Sequence, residues 1–163
     1  MIVDLRDNPG GLLDSVCDIL RKILPEGLIV YTEDKDGNRE EEKCDGKNEL
    51  RIPLAVLVNE SSASASEIFA GAVQDYGIGT IVGTTTFGKG VVQSIRQLSD
   101  GSAIKLTVAN YYTPKGNNIN KTGIKPDIEV SLDTRLLNKN KDEITHEEDN
   151  QLQEAIKAVE KEK

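Results

Sequence analysis

One continuous apolar run, residues 54–58 (Leu-Ala-Val-Leu-Val), constrains the fold of this chain more than any other feature. An apolar run of strand length without alternation is typical of a strand buried on both faces of a parallel sheet. A Ser/Ala-rich stretch follows, and then Ile68, Phe69, Ala72 and Val73 recur on one helical face. A buried strand that leads into a helix indicates an α/β domain.

Other patterns predict the remaining elements. Strands are predicted at 2–5, 27–32, 77–82, 91–96 and 102–112, and a helix over 12–24 that stops before Pro25. Asp36-Gly37 is a hairpin signal, so a returning strand is predicted after it. A calcium loop over 34–37 is disfavoured because Lys43 stands where that loop needs Glu. This order of elements predicts an α/β fold with a mixed sheet flanked by helices.

The chain has 163 residues, which is the size of one domain. It opens directly on a predicted core strand, so we expect an N-terminally truncated piece of a longer polypeptide. We divide it into a core over residues 1–132 and a charged C-terminal tail over 133–163. Leu152, Ile156 and Val159 predict an amphipathic helix in that tail.

Composition disfavours several classes of protein. The chain carries 20 basic and 28 acidic residues, and this net charge of −8 is a poor basis for binding nucleic acid or an anionic membrane. No apolar run approaches the roughly 18 residues of a membrane span, and no signal-peptide pattern opens the chain. Cys17 and Cys44 match no zinc spacing and cannot form a disulfide-rich scaffold. His146, the only histidine, lies in an acidic polar stretch, which disfavours histidine-dependent triads, dyads and metal sites.

The first segment that could carry chemistry is the junction at residues 59–68. A strand ends and a helix begins there, and an exposed nucleophile at such a place lies beside free backbone N–H groups. Ser64 also stands three residues before Glu67, which is the pattern of a capping box. Local sequence leaves both interpretations of Ser64 open.

The second segment is the loop at residues 83–90, Gly-Thr-Thr-Thr-Phe-Gly-Lys-Gly. It is close to the phosphate-binding pattern G-x-x-x-x-G-K-[ST], but Gly90 replaces the hydroxyl residue and a strand is predicted where a phosphate loop needs a helix. Taken alone, the segment is most simply a glycine-rich loop with a solvated Lys89. Nucleotide binding is the weakest interpretation.

The two segments together indicate a different chemistry. A lysine can activate a serine when its amine is neutral, and desolvation favours the neutral amine. Phe87, Val91 and Val92 could supply apolar surroundings for Lys89. Positions 89, 91 and 93 share a face if they lie on one strand, so the Gln93 amide could orient the amine without adding a charge.

These residues resemble the carboxyl-terminal processing proteases (tail-specific proteases, peptidase family S41) over about residues 1–131. Four motifs in the right order carry the resemblance: DLRDNPGG at 4–11, SASASE at 62–67, FGKGVVQ at 87–93, and the YYTPKG and GIKPD runs within 111–127. The interval of 25 residues from Ser64 to Lys89 agrees with the spacing in that family.

The resemblance implies a crotonase/ClpP-like α/β fold and a serine endopeptidase that cleaves protein substrates near their C-termini. It implies Ser64 as the nucleophile, Lys89 as the general base and Gln93 as the residue that holds the lysine. It also implies an oxyanion hole made by the backbone amides of Gly10 and Ala65. Ser64 and Lys89 are expected on facing loops of one cleft.

The resemblance also implies partners and a setting. It implies the C-termini of proteins or peptides as substrates, no cofactor, no metal and no nucleic acid, and an extracytoplasmic location (membrane-anchored, periplasmic or secreted). Whether the full-length parent forms a homo-oligomer is left open. The family carries a PDZ domain and helical segments before this core, and we expect both to be missing here, which removes substrate capture. For the same reason we expect the turn at residues 7–11 to be displaced or mobile.

Two alternatives belong to other classes of protein. The first is a non-catalytic peptide-binding domain on the same fold, which an exposed Lys89 remote from Ser64 would favour. The second is a nucleotide-binding domain.

Overall fold

A computed structural model describes residues 1–140 and 143–161. The elements follow the order β1 (Ile2–Asp4), α1 (Leu13–Leu20), β2 (Gly27–Asp34), β3 (Arg39–Cys44), β4 (Ala55–Val58), α2 (Ala65–Tyr76), β5 (Thr80–Gly83), β6 (Val91–Gln97), β7 (Ala103–Tyr112), β8 (Ile128–Glu129) and α3 (Asn150–Lys161). Within the described ranges, none of the helices has the length and apolar content needed to cross a membrane.

The strands form two four-stranded sheets, so the predicted α/β class is confirmed. One sheet is parallel, with the order β1-β4-β5-β8, and the other is antiparallel, with the order β3-β2-β7-β6. The hairpin predicted at Asp36-Gly37 is present, because β2 and β3 pair as antiparallel neighbours. Parallel and antiparallel strands are thus divided between two sheets.

The apolar run lies at the centre of the parallel sheet, as its lack of alternation predicts. All four residues of β4 are fully buried. Val56 and Val58 pack in the cluster that contains α1 and α2, whereas Ala55 and Leu57 pack in the cluster that contains α3. The parallel sheet is therefore covered by helices on both faces, and α2 also packs against β2 of the antiparallel sheet.

The amphipathic helix predicted in the C-terminal segment is present as α3. Ala155 is fully buried, and Leu152 and Val159 pack beside it against Leu57 and Val82 of the parallel sheet. The segment 133–163 thus supplies one layer of the fold as well as charged surface. Residues 141–142 and 162–163 of that segment lie outside the described residues.

Two element boundaries differ from the sequence prediction for local reasons. The regular part of α1 ends at Leu20, and a tight turn follows in which Ile23 N–H donates to Leu20 O at 3.0 Å. The strand predicted from residue 77 begins at Thr80 because Gly77 ends α2 in the left-handed region, with φ of 65°. A short glycine-containing turn then separates helix and strand.

Both cysteines are free and buried in the core cluster that contains α1 and α2. Burial raises the pKa of the Cys17 thiol to about 11. The Cys44 thiol donates to Leu24 O at 3.4 Å.

Candidate active site

Ser64 lies at the N-cap of α2, just beyond the carboxyl end of β4. The loop that delivers it is fixed by Ser62, whose buried hydroxyl donates to Leu5 O at 2.7 Å and accepts Asn59 N–H at 2.9 Å. Ser64 and Glu67 form the predicted capping box, and Ser64 N–H donates to Glu67 Oε2 at 2.9 Å. The cap interpretation of Ser64 is therefore confirmed, and it leaves the nucleophile interpretation open.

The backbone of Ser64 is in an uncommon conformation, with φ of 57° and ψ of −117°. A residue other than glycine in such a sparsely populated conformation costs on the order of 1–3 kcal/mol, and such residues concentrate at functional sites. The turn between β1 and α1 supports this conformation by binding residues on both sides of Ser64. Asn8 O accepts Ala63 N–H at 3.1 Å and the Ser66 hydroxyl at 3.0 Å.

Lys89 lies in the loop between β5 and β6, and its side chain is exposed. The expected dry environment is not present, because Phe87 is itself 66% exposed and Val91 and Val92 are half-buried. The loop leads into strand β6 rather than into a helix. It therefore lacks the helix N-terminus that a phosphate-binding loop requires.

Glu67 brings the backbones of the two proposed catalytic residues together. Its side chain is fully buried, and Oε2 accepts both Ser64 N–H at 2.9 Å and Lys89 N–H at 2.8 Å. Oε1 accepts Gly88 N–H at 2.7 Å and the Thr86 hydroxyl at 2.6 Å. Ser64 and Lys89 are thus two hydrogen bonds apart through one oxygen atom.

The side chains of the predicted dyad and its helper are not joined. Lys89 precedes β6, and the register of β6 shifts between Val92 and Gln93, so the regular alternation that would place positions 89, 91 and 93 on one face is interrupted. Gln93 is exposed and pairs with Thr107 of β7. Among the described residues, no hydrogen bond links the side chains of Ser64, Lys89 and Gln93 to one another.

The turn that should supply half of the oxyanion hole lies directly against Ser64. Gly10 has φ of 96°, and a Cβ at this position would lie 2.9 Å from Ser64 Cβ and 2.8 Å from Ala65 N. Asp7 and Asn59 also bind each other across the loops at 2.9 Å. However, Gly10 N–H donates to Asn8 Oδ1 at 2.9 Å, so this donor is already engaged.

Sequence reasoning missed three roles in this region. Glu67 was visible only as a capping residue, Thr86 as one of several loop threonines, and Asn8 as a turn former. The position of Glu67 between a serine and a downstream lysine was the only sequence feature that hinted at its role. No local pattern predicts that a capping carboxylate also binds a second loop. Such contacts become visible only in three dimensions.

Comparison with known proteins gives the class of this chain. Residues 1–130 match the profile of Peptidase family S41. The chain is 53% identical over 126 residues to a carboxyl-terminal-processing protease of Synechocystis sp., a match that covers 77% of this chain and 30% of that protein. It is 44% identical over 138 residues to a chloroplastic C-terminal processing peptidase of Tetradesmus obliquus, with 84% and 29% covered.

A solved structure gives the same result for the fold. The photosystem II D1 C-terminal processing protease superposes with a TM-score of 0.76 at 43% identity, over 80% of this chain and 34% of that one. The chain therefore belongs to peptidase family S41. It spans about 30% of the length of the Synechocystis relative.

Proposed function

We propose that this chain is the catalytic core of a serine endopeptidase that cleaves protein substrates near their C-termini with a Ser–Lys dyad. Membership of peptidase family S41 and the names of the relatives support proteolysis. The observation that carries the proposal is the shared contact on Glu67 Oε2, which keeps the serine loop and the lysine loop adjacent. Gly10, Ala65 and Gln93 are proposed as helpers.

The proposed reaction begins when Ser64 Oγ attacks the scissile carbonyl carbon and its proton passes to the neutral amine of Lys89. The carbonyl oxygen becomes an oxyanion, which accepts the N–H groups of Ala65 and Gly10. The C–N bond then breaks, the amine leaves with the proton held by Lys89, and an acyl-serine remains. A water molecule then gives a proton to Lys89 and attacks the acyl carbon. The C–Oγ bond breaks, the acyl group leaves as a carboxylic acid, and Lys89 returns the proton to Ser64 Oγ.

Two features of the described state must change before this reaction occurs. Gly10 N–H has to exchange Asn8 Oδ1 for the oxyanion as its acceptor. The exposed Lys89 amine has to lose water, and a substrate lying across Phe87 would exclude it. Catalytic contacts are often loose without substrate, so both changes fit a resting enzyme.

We propose the substrate and the location of this chain from the names of its relatives. The proposed partners are protein or peptide C-termini, as the names of the relatives indicate. One relative is chloroplastic, and an extracytoplasmic location, or its organellar equivalent, is proposed for this chain.

One observation favours a second function, a peptide-binding domain without catalysis. The Lys89 side chain is exposed, and among the described residues it shares no hydrogen bond with Ser64. A domain that only holds peptides needs the cleft but not a neutral lysine. The test below separates the two functions.

The test replaces Ser64 and Lys89 in the complete natural polypeptide that carries this chain. Ser64→Ala and Lys89→Arg should each abolish cleavage of fluorescein-labelled casein, because arginine cannot give up a proton near neutral pH. Ser61→Ala is the matched control, since Ser61 is exposed on the same loop, and it should cleave like wild type. Cleavage that survives Ser64→Ala or Lys89→Arg would refute the dyad, and peptide binding without any cleavage in wild type would favour the second function.

A further inference from the structure

Glu67 is the only fully buried carboxylate among the described residues, and its two oxygens accept four hydrogen bonds. We propose that Glu67 is a positioning residue for the reaction of Ser64 and Lys89, a role that rests on the proposed function. Its carboxylate fixes the two loops that carry the nucleophile and the base, and so sets the rate of the chemical step.

A cap alone does not account for this burial. A capping carboxylate needs one hydrogen bond, to the N-cap N–H, and most capping residues keep contact with water. Burying a carboxylate is costly unless its oxygens are satisfied. Glu67 is satisfied because Thr86, Gly88 and Lys89 supply three further donors from the β5–β6 loop.

The acceptor-only pattern of Glu67 is that of an ionised carboxylate. Two of its partners, Ser64 and Lys89, meet at the same oxygen, Oε2. Charge-assisted hydrogen bonds of this kind are stronger than neutral ones, so they hold the distance between the loops firmly.

A third segment fixes the carboxylate itself. The Thr86 hydroxyl donates to Glu67 Oε1 and accepts Ile124 N–H at 2.7 Å. It therefore connects the carboxylate to the segment that follows β7. Gly88 O also accepts Lys121 N–H at 2.8 Å, which clamps the lysine loop from the other side. Oε1 therefore anchors the carboxylate, and Oε2 holds the two reacting residues.

The contact with Lys89 suits a residue that must act as a base. Glu67 binds the backbone N–H of Lys89, and the Lys89 side chain is left exposed. A carboxylate on the amine would favour the ammonium form, whereas a carboxylate on the backbone fixes its place without that effect. A misplacement of about 1 Å between reacting groups costs about 10²-fold in rate.

The experiment compares Glu67→Gln with a matched variant in the complete natural polypeptide. Glutamine has the same shape, but its NH₂ group cannot accept, so at least one backbone N–H is left facing a donor. We expect kcat for casein cleavage to fall about 10²-fold while KM stays within about twofold, because Glu67 is buried away from substrate. The rate at which a fluorophosphonate probe labels Ser64 should fall in parallel.

Glu60→Gln is the control. Glu60 Oε2 accepts the Thr84 hydroxyl at 2.9 Å, so it joins the same two loops, but it is exposed and contacts neither Ser64 nor Lys89. Its kcat and labelling rate should equal those of wild type. An equal loss in both variants, or a raised KM with an unchanged kcat in Glu67→Gln, would overturn the inference.

A second pair keeps the test decisive if Glu67→Gln does not fold. Thr86→Val removes the hydroxyl that anchors Oε1 and should lower kcat, and Thr86→Ser should restore most of that loss. A folded Glu67→Gln or Thr86→Val with wild-type kcat would overturn the positioning role, while an inactive Ser64→Ala in the same assay would leave the proposed function intact. Activity in Ser64→Ala would refute the function itself.

Discussion

At Gly10 the turn after β1 touches the residues proposed for catalysis so closely that no side chain fits. A Cβ there would lie 2.5 Å from Ala63 O and 2.8 Å from Ala65 N, at a φ of 96° that disfavours any residue with a side chain. Gly11 is the contrast, because nothing lies within 4 Å of its Cβ position. The two adjacent glycines therefore have different tolerances.

We predict that Gly10→Ala lowers the free energy of unfolding by about 1–3 kcal/mol, through strain and overpacking. By moving the proposed oxyanion donor, Gly10→Ala should also lower kcat by about 10²–10³-fold. Gly11→Ala should change the free energy of unfolding by less than about 0.5 kcal/mol. Urea unfolding and casein cleavage measure both effects, and equal behaviour of the two variants would contradict the assignment.

The alternating serines at 62, 64 and 66 also differ in the hydrogen bonds that their hydroxyls make. The Ser62 and Ser66 hydroxyls donate to backbone carbonyls of the β1–α1 connection, at Leu5 and Asn8. Sequence alone cannot separate three serines of one spacing, and only the resemblance singled out Ser64. The hydrogen bonds give Ser62 and Ser66 structural roles, which leaves Ser64 as the proposed nucleophile.

At the scale of elements, the start of α3 is tied to the turn that follows β1. Arg6 donates to Asp149 Oδ1 and to Gln151 Oε1 at 3.0 Å each, and its Nη2 lies 2.8 Å from Asp149 Oδ2. Asp149 Oδ1 also accepts Leu152 N–H at 3.0 Å, which caps the helix. A layer on the far face of the parallel sheet is thus connected to the loop that contains Gly10.

This ion pair gives the stability of the fold an acid-sensitive component. Burial by itself raises the pKa of the Asp149 carboxyl, but the hydrogen bonds from Arg6 and from Leu152 N–H outweigh burial and hold the pKa below its usual value. A carboxyl whose pKa is lowered by folding stabilises the protein above the unfolded pKa of about 4. That stabilisation is lost as the pH falls through the lower folded value.

We predict that Asp149→Asn lowers the free energy of unfolding at pH 7 by about 1–3 kcal/mol, because Arg6 loses a charged partner. The difference from wild type should shrink as the pH falls from about 4, where the unfolded carboxyl becomes protonated, through the lower pKa of the folded carboxyl. Urea titrations at pH 7 and at lower pH values measure this difference. A gap that stays constant with pH would show that the ion pair contributes nothing.

Most elements could be predicted from the sequence, and the exceptions have physical causes. The buried run at β4, the amphipathic faces of the helices and the Asp36-Gly37 turn are local patterns, and each produced the expected element. Strand β8 has two residues, too few for any periodicity, and exists only because it pairs with Val82 and Gly83. The capping box was predictable for the same local reason, whereas the contact from Glu67 to Lys89 spans 22 residues.

At the scale of the whole molecule, the parallel sheet separates two hydrophobic cores and contributes side chains to both. One core lies between this sheet and the helices α1 and α2, and the other lies between it and α3. Every strand residue of β4 serves one core or the other, so neither side can be removed without exposing apolar side chains.

We predict that a chain ending at residue 132 does not fold cooperatively. It would expose Ala55, Leu57 and Val82, which α3 covers in the 163-residue chain. Exposed apolar patches of this kind promote association and dye binding. Thermal unfolding should lose its single sharp transition, and binding of an anilinonaphthalene dye should rise, relative to the 163-residue chain. A cooperative transition near the wild-type temperature would instead show that residues 1–132 are self-sufficient.

The buried thiol of Cys17 can report how often the packed layers of the fold separate. Alkylating reagents react with the thiolate, and Cys17 is both fully buried and, because its pKa is about 11, protonated at neutral pH. Iodoacetamide can therefore reach it only during moments when the layers separate, and its slow rate of modification measures how often they do. The modification rate of Cys17 is therefore a built-in measure of local opening, at an atom that takes no part in the proposed chemistry.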